Sequence, residues 1–196
     1  MLRLLLISIF STTILFAALL KDEIVPVMTE NIDYVIDSLK EKELKQDEFI
    51  KDIFERFEGV FDFSLMARLS LGASQWKDLS SDERDRFEKH FVDKMKRSFV
   101  QRLELYTDEE VVVRGAEEVK VGKATRIYLL TELVGDEKNY SIVYKFHNAG
   151  DDSWMIYDVD ILDVSLIQTY RSQFDGYLKT HSLDELISWL KEDEDI

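Results

Sequence analysis

The sequence predicts an α+β fold in which helices cover a twisted, antiparallel meander of four strands. In the N-terminal half, apolar residues recur at helical spacing, and the period changes to two near residue 110. The segments that alternate in polarity are joined by short turns rich in Gly, Asn and Asp. Such turns are typical of antiparallel hairpins, so the four strands should follow one another in the sheet.

The composition indicates one globular domain. The chain has 196 residues, of which 45% are hydrophobic and 33% charged, and this is ordinary for a soluble protein. The formal net charge is -15. Because such a surface repels phosphate backbones, nucleic-acid binding is not expected.

No catalytic residue, metal site or cofactor is predicted. The three histidines, His90, His147 and His181, fall on separate predicted elements without i, i+4 pairing. The glycines form no phosphate-binding loop, and there is no G-x-S-x-G motif. The chain also lacks cysteine, so its core must stabilise it without disulfides.

The N-terminus has the features of a secretory signal peptide. Arg3 precedes an apolar run from Leu4 to Leu20, and the small residues Ala17 and Ala18 lie near its end. We therefore predict a signal peptide over residues 1–20 and a single exported domain over residues 21–196. The run is short for a span of about 20 residues, but an uncleaved membrane anchor stays open as an alternative.

The helices are predicted from apolar stripes and from capping residues. Asp62 should cap a short helix that ends at Gly72. Ser80 with Glu83 forms a capping box, as does Ser182 with Glu185. The predicted helices cover residues 22–39, 47–58, 63–71, 81–106, 165–178 and 183–190.

The four strands, at residues 110–115, 123–134, 140–148 and 154–162, separate an apolar face from a polar face. The apolar face carries Ile127, Leu129, Leu133, Tyr140, Ile142, Tyr144, Phe146, Met155, Tyr157, Val159 and Ile161. The polar face carries Arg126, Glu132, Ser141, Lys145, His147, Asp158 and Asp160. We interpret the polar face as solvated, and the apolar face as covered by helices. Either a packed core or a cavity can lie beneath those helices, and composition leaves both open.

Two stretches resemble the MlaC family, also called the toluene-tolerance auxiliary proteins. The first is FDFSLMARLSLG, from Phe61 to Gly72, followed by Trp76 and the helix that begins at Ser80. The second is WMIYDVDILDVSLIQTYRSQF, from Trp154 to Phe174, in which strand, turn and helix residues match in series. The resemblance extends over residues 25–190.

The resemblance implies a monomeric periplasmic carrier of phospholipids that is not an enzyme. Such proteins shuttle lipid between an outer-membrane lipoprotein–porin complex and an inner-membrane ABC transporter fronted by MCE domains, in an Mla-type pathway of lipid asymmetry. The implied fold is related to the NTF2-like cone, with acyl chains in an apolar cavity between sheet and helices. The acidic surface and the cluster of Asp158, Asp160 and Asp163 depart from the family pattern.

Apolar residues of the predicted sheet face and helices are the candidates for the lipid pocket. A shift of one residue in a strand would transfer its candidates to the opposite face. The predicted lipid-binding residues are Phe63, Met66, Leu69, Phe99, Leu103, Ile127, Leu129, Tyr144, Tyr157, Val159, Ile161, Leu166 and Tyr170.

Two other classes of protein stay open. A cone of this kind can hold an enzyme that acts on an apolar small molecule, which would require an ionisable group deep in the cavity. Tyr157 and Asp158 are neighbours in a strand and point to opposite faces, so they cannot share such a pocket. The third class is an adaptor with a filled core and an uncleaved N-terminal helix.

The role of Arg171 has two interpretations. Its guanidinium matches the geometry of a lipid phosphate. Alternatively, it forms an ion pair with Asp158, Asp160 or Asp163, which are close in sequence.

Overall fold

The computed structural model describes residues 18–41, 46–57, 59–103, 110–135 and 138–192, without the side chains of residues 41, 46–50 and 102–103. Most of the predicted signal peptide, residues 1–17, therefore lies outside the described residues. Within the described ranges, no helix is both long enough and apolar enough to cross a membrane.

Helices form the first half of the described chain and close its end. A short 3-10 helix, Lys21–Glu23, precedes α1. The helices are α1 (Ile24–Glu41), α2 (Gln46–Phe57), α3 (Phe63–Leu71), α4 (Ala73–Asp78), α5 (Ser81–Leu103), α6 (Leu166–Tyr177) and α7 (Leu183–Leu190).

The sheet is an antiparallel meander of five strands in sequence order, not four. The strands are β1 (Glu110–Val121), β2 (Ala124–Val134), β3 (Asn139–Gly150), β4 (Ser153–Ile161) and β5 (Val164–Ser165). The fifth strand has only two residues, too few for alternation to predict it. Strand β1 also runs beyond the predicted residue 115, because a register shift between Val113 and Gly115 lets pairing with β2 continue.

The predicted caps of α3, α5 and α7 are confirmed by local hydrogen bonds, whereas the predicted end of α5 at residue 106 lies outside the described residues. The Asp62 side chain accepts from the Leu65 amide at 2.9 Å, and Gly72, with a φ of 90°, follows the last residue of α3. The Ser80 amide donates to the Glu83 carboxylate at 2.8 Å, and the Glu83 amide donates to the Ser80 hydroxyl at 3.3 Å. Ser182 and Glu185 form the same reciprocal box before α7.

The described residues form two large hydrophobic cores and a small third cluster around Val35 and Ile53. We name the sheet face that packs against α1 the inner face, and its core the sheet core. The second, the helix core, joins α3, α5, α6 and α7, and α3 and α6 also contact β4. The buried residues of the sheet core are Leu19, Ile24, Met28, Ile32, Val60, Ile127, Leu129, Phe146, Trp154, Ile156 and Val159. The buried residues of the helix core are Met66, Ala67, Leu71, Phe87, Phe91, Ile167, Tyr170, Phe174, Leu186, Ile187, Trp189 and Leu190.

A β-bulge at Tyr157 changes the face on which the β4 residues lie. Lys145 pairs with Asp158 and Phe146 pairs with Ile156, so Tyr157 has no partner of its own on β3. Trp154 and Ile156 therefore belong to the inner face. The predicted inward position of Met155 and Tyr157 is wrong, because one extra residue reverses the alternation.

Replacement of Gly176 by Ala is expected to stabilise the protein. Gly176 lies within α6, and a Cβ atom added there would meet no other atom within 4 Å. Ala removes the entropic penalty of a helical glycine, so the free energy of unfolding should rise by about 0.5–1 kcal/mol in urea denaturation. The control is Gly122→Ala, which is equally open but has a φ of 61° and should destabilise. A lower free energy of unfolding for Gly176→Ala would contradict this prediction.

Candidate functional site

Among the described residues, the inner face is covered more completely at one end, the sealed end, than at the other. Ile127, Phe146 and Ile156 are fully buried at the sealed end. At the other end, where β2 finishes and β3 begins, Thr131 is buried, the apolar inner-face side chains are only half-buried, and Tyr140 is 37% exposed. We name this half-buried surface the apolar groove. It is formed by Val111, Val113, Leu133, Ile142, Tyr144 and Ile161.

Helix α1 and the segment before it close the sealed end. Ile24, Met28 and Ile32 recur at a spacing of four residues and are buried against the sheet. Leu19 extends the sheet by pairing with Trp154, with backbone N–O distances of 3.0 and 2.7 Å. The cover is thus densest near the N-terminus of α1, which leaves the groove at the opposite end of the inner face.

A row of phenylalanines connects the two cores. Phe61 contacts both, and its ring centroid lies 5.9 Å from that of Phe57 and 5.5 Å from that of Phe63. Phe54 of α2 meets Phe99 of α5 edge to face at 5.8 Å. These rings extend the apolar surface from the sheet towards α2 and α5.

A second concavity, of about 680 Å³, lies between α2 and α5. Its apolar residues are Phe54, Phe63 and Val92. Charged residues surround them, namely Lys51, Glu55, Asp85, Glu88, Lys89, Asp93 and Lys96. Because acids and bases alternate around it, this concavity suits hydrocarbon less well than the apolar groove does.

The structure brings together part of the predicted lipid-binding set. Ile127, Leu129, Tyr144, Val159 and Ile161 all lie on the inner face, as expected. Sequence alternation missed Trp154 and Ile156 because of the bulge. It also missed Val111 and Val113, although two apolar residues at a spacing of two are typical of one face of a strand.

The remaining candidates lie elsewhere. Met66, Leu166 and Tyr170 belong to the helix core, and Phe63 packs against it while also lining the concavity between α2 and α5. Two further candidates, Leu69 and Phe99, are more than one-third exposed on their helices. The Leu103 side chain lies outside the described residues.

Tyr157 lies on the outer face, opposite the groove. Its ring meets that of His147 edge to face at 5.9 Å, and the Arg126 guanidinium lies 5.3 Å from its centroid. Burial raises the pKa of its hydroxyl. The predicted place of Tyr157 in the lipid pocket therefore has no support in the geometry.

Asp158 is buried, so the interpretation of its face as solvated is wrong at this position. Its side chain retains 7% of its accessible surface, because the first turn of α6 folds back onto β4. One carboxylate oxygen accepts from the Val159 and Ile167 amides at 2.9 and 3.1 Å. The other accepts from the Ser165 hydroxyl at 2.7 Å and from Lys145 at 3.1 Å.

Lys145 joins the two acids of β4. Its Nζ lies 3.1 Å from Asp158 and 2.5 Å from Asp160. Burial opposes the charged form of this amine, but the hydrogen bonds to both carboxylates prevail and raise the pKa of Lys145. Lys145 thus compensates one of the two negative charges and holds both carboxylates on the outer face of the sheet.

Arg171 pairs with Asp175, not with the acids predicted from sequence. The Nε–Oδ2 distance is 2.8 Å, an i, i+4 contact along α6. The guanidinium occupies the space beside Gly72, where a Cβ atom would come within 1.3 Å of Nη1. Arg171 therefore packs α6 against the end of α3.

Asp62 connects α3 to the outer face of the sheet. Its Oδ2 atom lies 2.8 Å from His147 Nε2, and this hydrogen bond, supported by that from the Leu65 amide, lowers the pKa of Asp62. Its side chain is 22% exposed, so the pair is only partly screened by solvent.

The lowered pKa of Asp62 predicts a loss of stability in acid. Its contribution is fully present above the ordinary value of 3.8 and is lost as pH falls through the lower folded value. Asp62→Asn should lower the free energy of unfolding at neutral pH by about 1 kcal/mol and flatten its decline in acid. Urea denaturation at several pH values measures both. The control is Asp37→Asn, at an exposed position on α1. An unchanged slope in acid for Asp62→Asn would contradict the prediction.

No group of three or more His, Cys, Asp or Glu residues that could hold a metal ion occurs within the described part of the chain. Along the described strands, the charged residues of the inner face are Glu118 and Lys120, both at the sealed end of β1 and away from the groove, and Glu118 pairs with Lys21. The groove is therefore suited to binding an apolar ligand through its contact area and not through directional polar contacts.

The fold and the groove define a class of small α+β binding domains in which helices and sheet share an apolar surface. The chain belongs to the MlaC protein family, which it matches over residues 29–192. Comparison with curated proteins gives no significant sequence match.

Among solved structures, the chain resembles a phospholipid-binding protein from Ralstonia solanacearum, determined in complex with a phospholipid. The TM-score is 0.68 at 16% sequence identity, over 86% of this chain and 94% of that protein. At this identity the likeness establishes a shared fold.

Proposed function

We propose that this protein is a phospholipid carrier that holds acyl chains in the apolar groove. The observation that carries the proposal is the half-buried state of Val113, Ile142 and Ile161 on a face whose other end buries Ile127, Phe146 and Ile156. Membership of the MlaC family and the phospholipid bound to the structural neighbour support the same cargo.

The hydrophobic effect explains why such a carrier needs a groove. A buried methylene contributes about 0.8 kcal/mol, so exposing one chain of about sixteen carbons costs on the order of 10 kcal/mol. A lipid with two chains therefore leaves a bilayer slowly unless an apolar surface receives it. Binding by area also allows release, because few directional contacts have to be broken.

The proposed setting is the periplasm. Residues 1–20 would direct export and be removed, leaving residues 21–196 as a monomeric carrier. Its partners would be an outer-membrane lipoprotein–porin complex and an inner-membrane ABC transporter with MCE domains, as family membership suggests. The pairing of Lys145 with two aspartates, and the apolar character of the groove, favour a binding protein over an enzyme.

Lipid extraction tests the proposal directly. The mature protein is purified without detergent and extracted with organic solvent, and the extract is analysed by mass spectrometry. We expect phospholipid in near-stoichiometric amounts, and only traces from an unrelated acidic protein purified in parallel. A lipid-free extract, together with no uptake from vesicles, would contradict the proposed function.

A further inference from the structure

Leu19, at the end of the apolar N-terminal run, belongs to the folded domain. It is only 7% exposed and lies in the sheet core, which also contains Trp154 and Ile24. Its backbone pairs with Trp154 in an antiparallel bridge. The Leu19 amide donates to the Trp154 carbonyl at 3.0 Å, and the Trp154 amide donates to the Leu19 carbonyl at 2.7 Å. Leu19 is therefore a structural part of the sealed end of the inner face.

The residue after Leu19 is also held by hydrogen bonds. The Leu20 amide donates to the Glu23 carboxylate at 3.0 Å, and the Glu23 amide donates to the Leu20 carbonyl at 3.0 Å. These bonds begin the short 3-10 helix that precedes α1. A chain that began at Lys21 would lose both the bridge to Trp154 and the hydrogen bonds that Leu20 makes.

The fold thus includes the last two residues of the apolar run. When Leu19 and Leu20 are counted with the domain, the run outside it extends from Leu4 to Ala18, which is 15 residues. This is shorter than the roughly 20 residues of a membrane span, and it lies within the range of about 7–15 for the apolar core of a signal peptide. Signal peptides are cleaved after small residues, and Ala17 and Ala18 are the last small residues before Leu19.

Resting on the export that the proposed function requires, we propose that a signal peptidase cleaves the chain on one side or the other of Ala18, so that Leu19 is retained in the mature protein. Hydrolysis adds one water molecule across the peptide bond, which leaves a carboxylate on the released peptide and an ammonium group on the mature chain. An ammonium group on Leu19 still donates to the Trp154 carbonyl, and its charge strengthens that hydrogen bond. The boundary thereby lies before Leu19 and not after Leu20, where the apolar run ends.

The first residue of the exported protein tests this inference directly. The full chain, with its own N-terminus and a C-terminal affinity tag, is expressed in a bacterial host and purified from the periplasmic fraction. N-terminal sequencing and intact-mass spectrometry then identify the first residue. We expect the mature protein to begin at Ala18 or Leu19. A start at any other residue, including an uncleaved chain that begins at Met1, would overturn the inference.

A second measurement tests the structural reason for the boundary. Chains that begin at Leu19 and at Lys21 are released from a cleavable N-terminal tag and compared by thermal denaturation. The chain from Lys21 should melt about 5–10 °C lower, because it lacks a buried leucine and several hydrogen bonds. In the longer chain, Leu19→Ser should reproduce most of this loss, whereas Leu20→Ser, at a residue that is 45% exposed, should have little effect. Equal melting temperatures for the two chains would overturn the inference.

Lipid extraction of the same periplasmic sample separates this inference from the proposed function. A different first residue in a protein that carries phospholipid would overturn the cleavage position and leave the carrier intact. The expected first residue in a protein that carries no phospholipid and takes up none from vesicles would support the cleavage position and contradict the carrier.

Discussion

Replacement of Asp158 by Ala is expected to lower the free energy of unfolding by about 3–5 kcal/mol, the range for breaking a buried ion pair. The substitution removes the acceptor for the Val159 and Ile167 amides and for the Ser165 hydroxyl. It also leaves Lys145 with only one of its two carboxylates. Urea denaturation followed by tryptophan fluorescence measures the change.

Two matched variants separate the contributions at this site. Asp158→Asn keeps an oxygen for the two amides but loses the charge, so its effect should lie between those of wild type and Asp158→Ala. Asp160→Asn is the control, because Asp160 is more exposed and Lys145 would still contact Asp158. Equal destabilisation by Asp158→Ala and Asp160→Asn would show that the corner between β4 and α6 does not depend on the buried carboxylate.

Replacement of Ile142 by Lys is expected to abolish lipid binding without unfolding the domain. Ile142 is half-buried in the groove, opposite Thr131 and Ile161. A lysine there can extend its amine to the open end, but its charge and its length would occupy the path of the acyl chain. We expect the lipid content of the purified protein to fall by at least about tenfold, equivalent to 1.4 kcal/mol or more.

The adjacent residue provides the control for Ile142→Lys. Val143 lies on the outer face and pairs with Asp160, so a lysine there gains a favourable neighbour. Val143→Lys should retain the lipid content and the circular dichroism spectrum of wild type. Equal lipid content in the two variants would remove the groove as the lipid site, and a loss in Val143→Lys alone would indicate the outer face.

Sequence was sufficient wherever the determining interactions are local. The capping boxes that begin with Ser80 and Ser182 close within three residues, so residue type and spacing predict them. The same reasoning placed Asp62 at the start of α3 and Gly72 at its end. The Arg171–Asp175 pair was equally local, and helical i, i+4 spacing would have favoured Asp175 over the acids of β4.

Alternation alone could not resolve the register of β4. Trp154 and Ile156 are apolar, and so are Met155 and much of Tyr157. Alternation therefore allows either pair to form the buried face. The bulge that decides between them depends on pairing with β3, which is set by the whole sheet. The burial of Asp158 likewise depends on α6 folding back, a tertiary contact that no local pattern encodes.

The location of the groove was predicted only in part. The apolar inner face follows from alternation in β2 and β3, which placed Ile127, Leu129 and Tyr144 correctly on it. Which end of that face stays uncovered depends on where α1 lies across the strands. Met66 and Tyr170, which were predicted to line the lipid pocket, lie in the helix core. An apolar stripe on a helix does not reveal which surface the helix packs against.

Photo-cross-linking tests the central claim most directly. A phospholipid with a diazirine in the middle of one acyl chain is loaded onto the protein and irradiated, and the modified residues are identified by peptide mass spectrometry. We predict adducts on the inner face, concentrated at Val113, Leu133, Ile142 and Ile161. Adducts concentrated on the outer face around Tyr157, or between α2 and α5 around Val92, would contradict the assignment of the apolar groove as the site of the acyl chains.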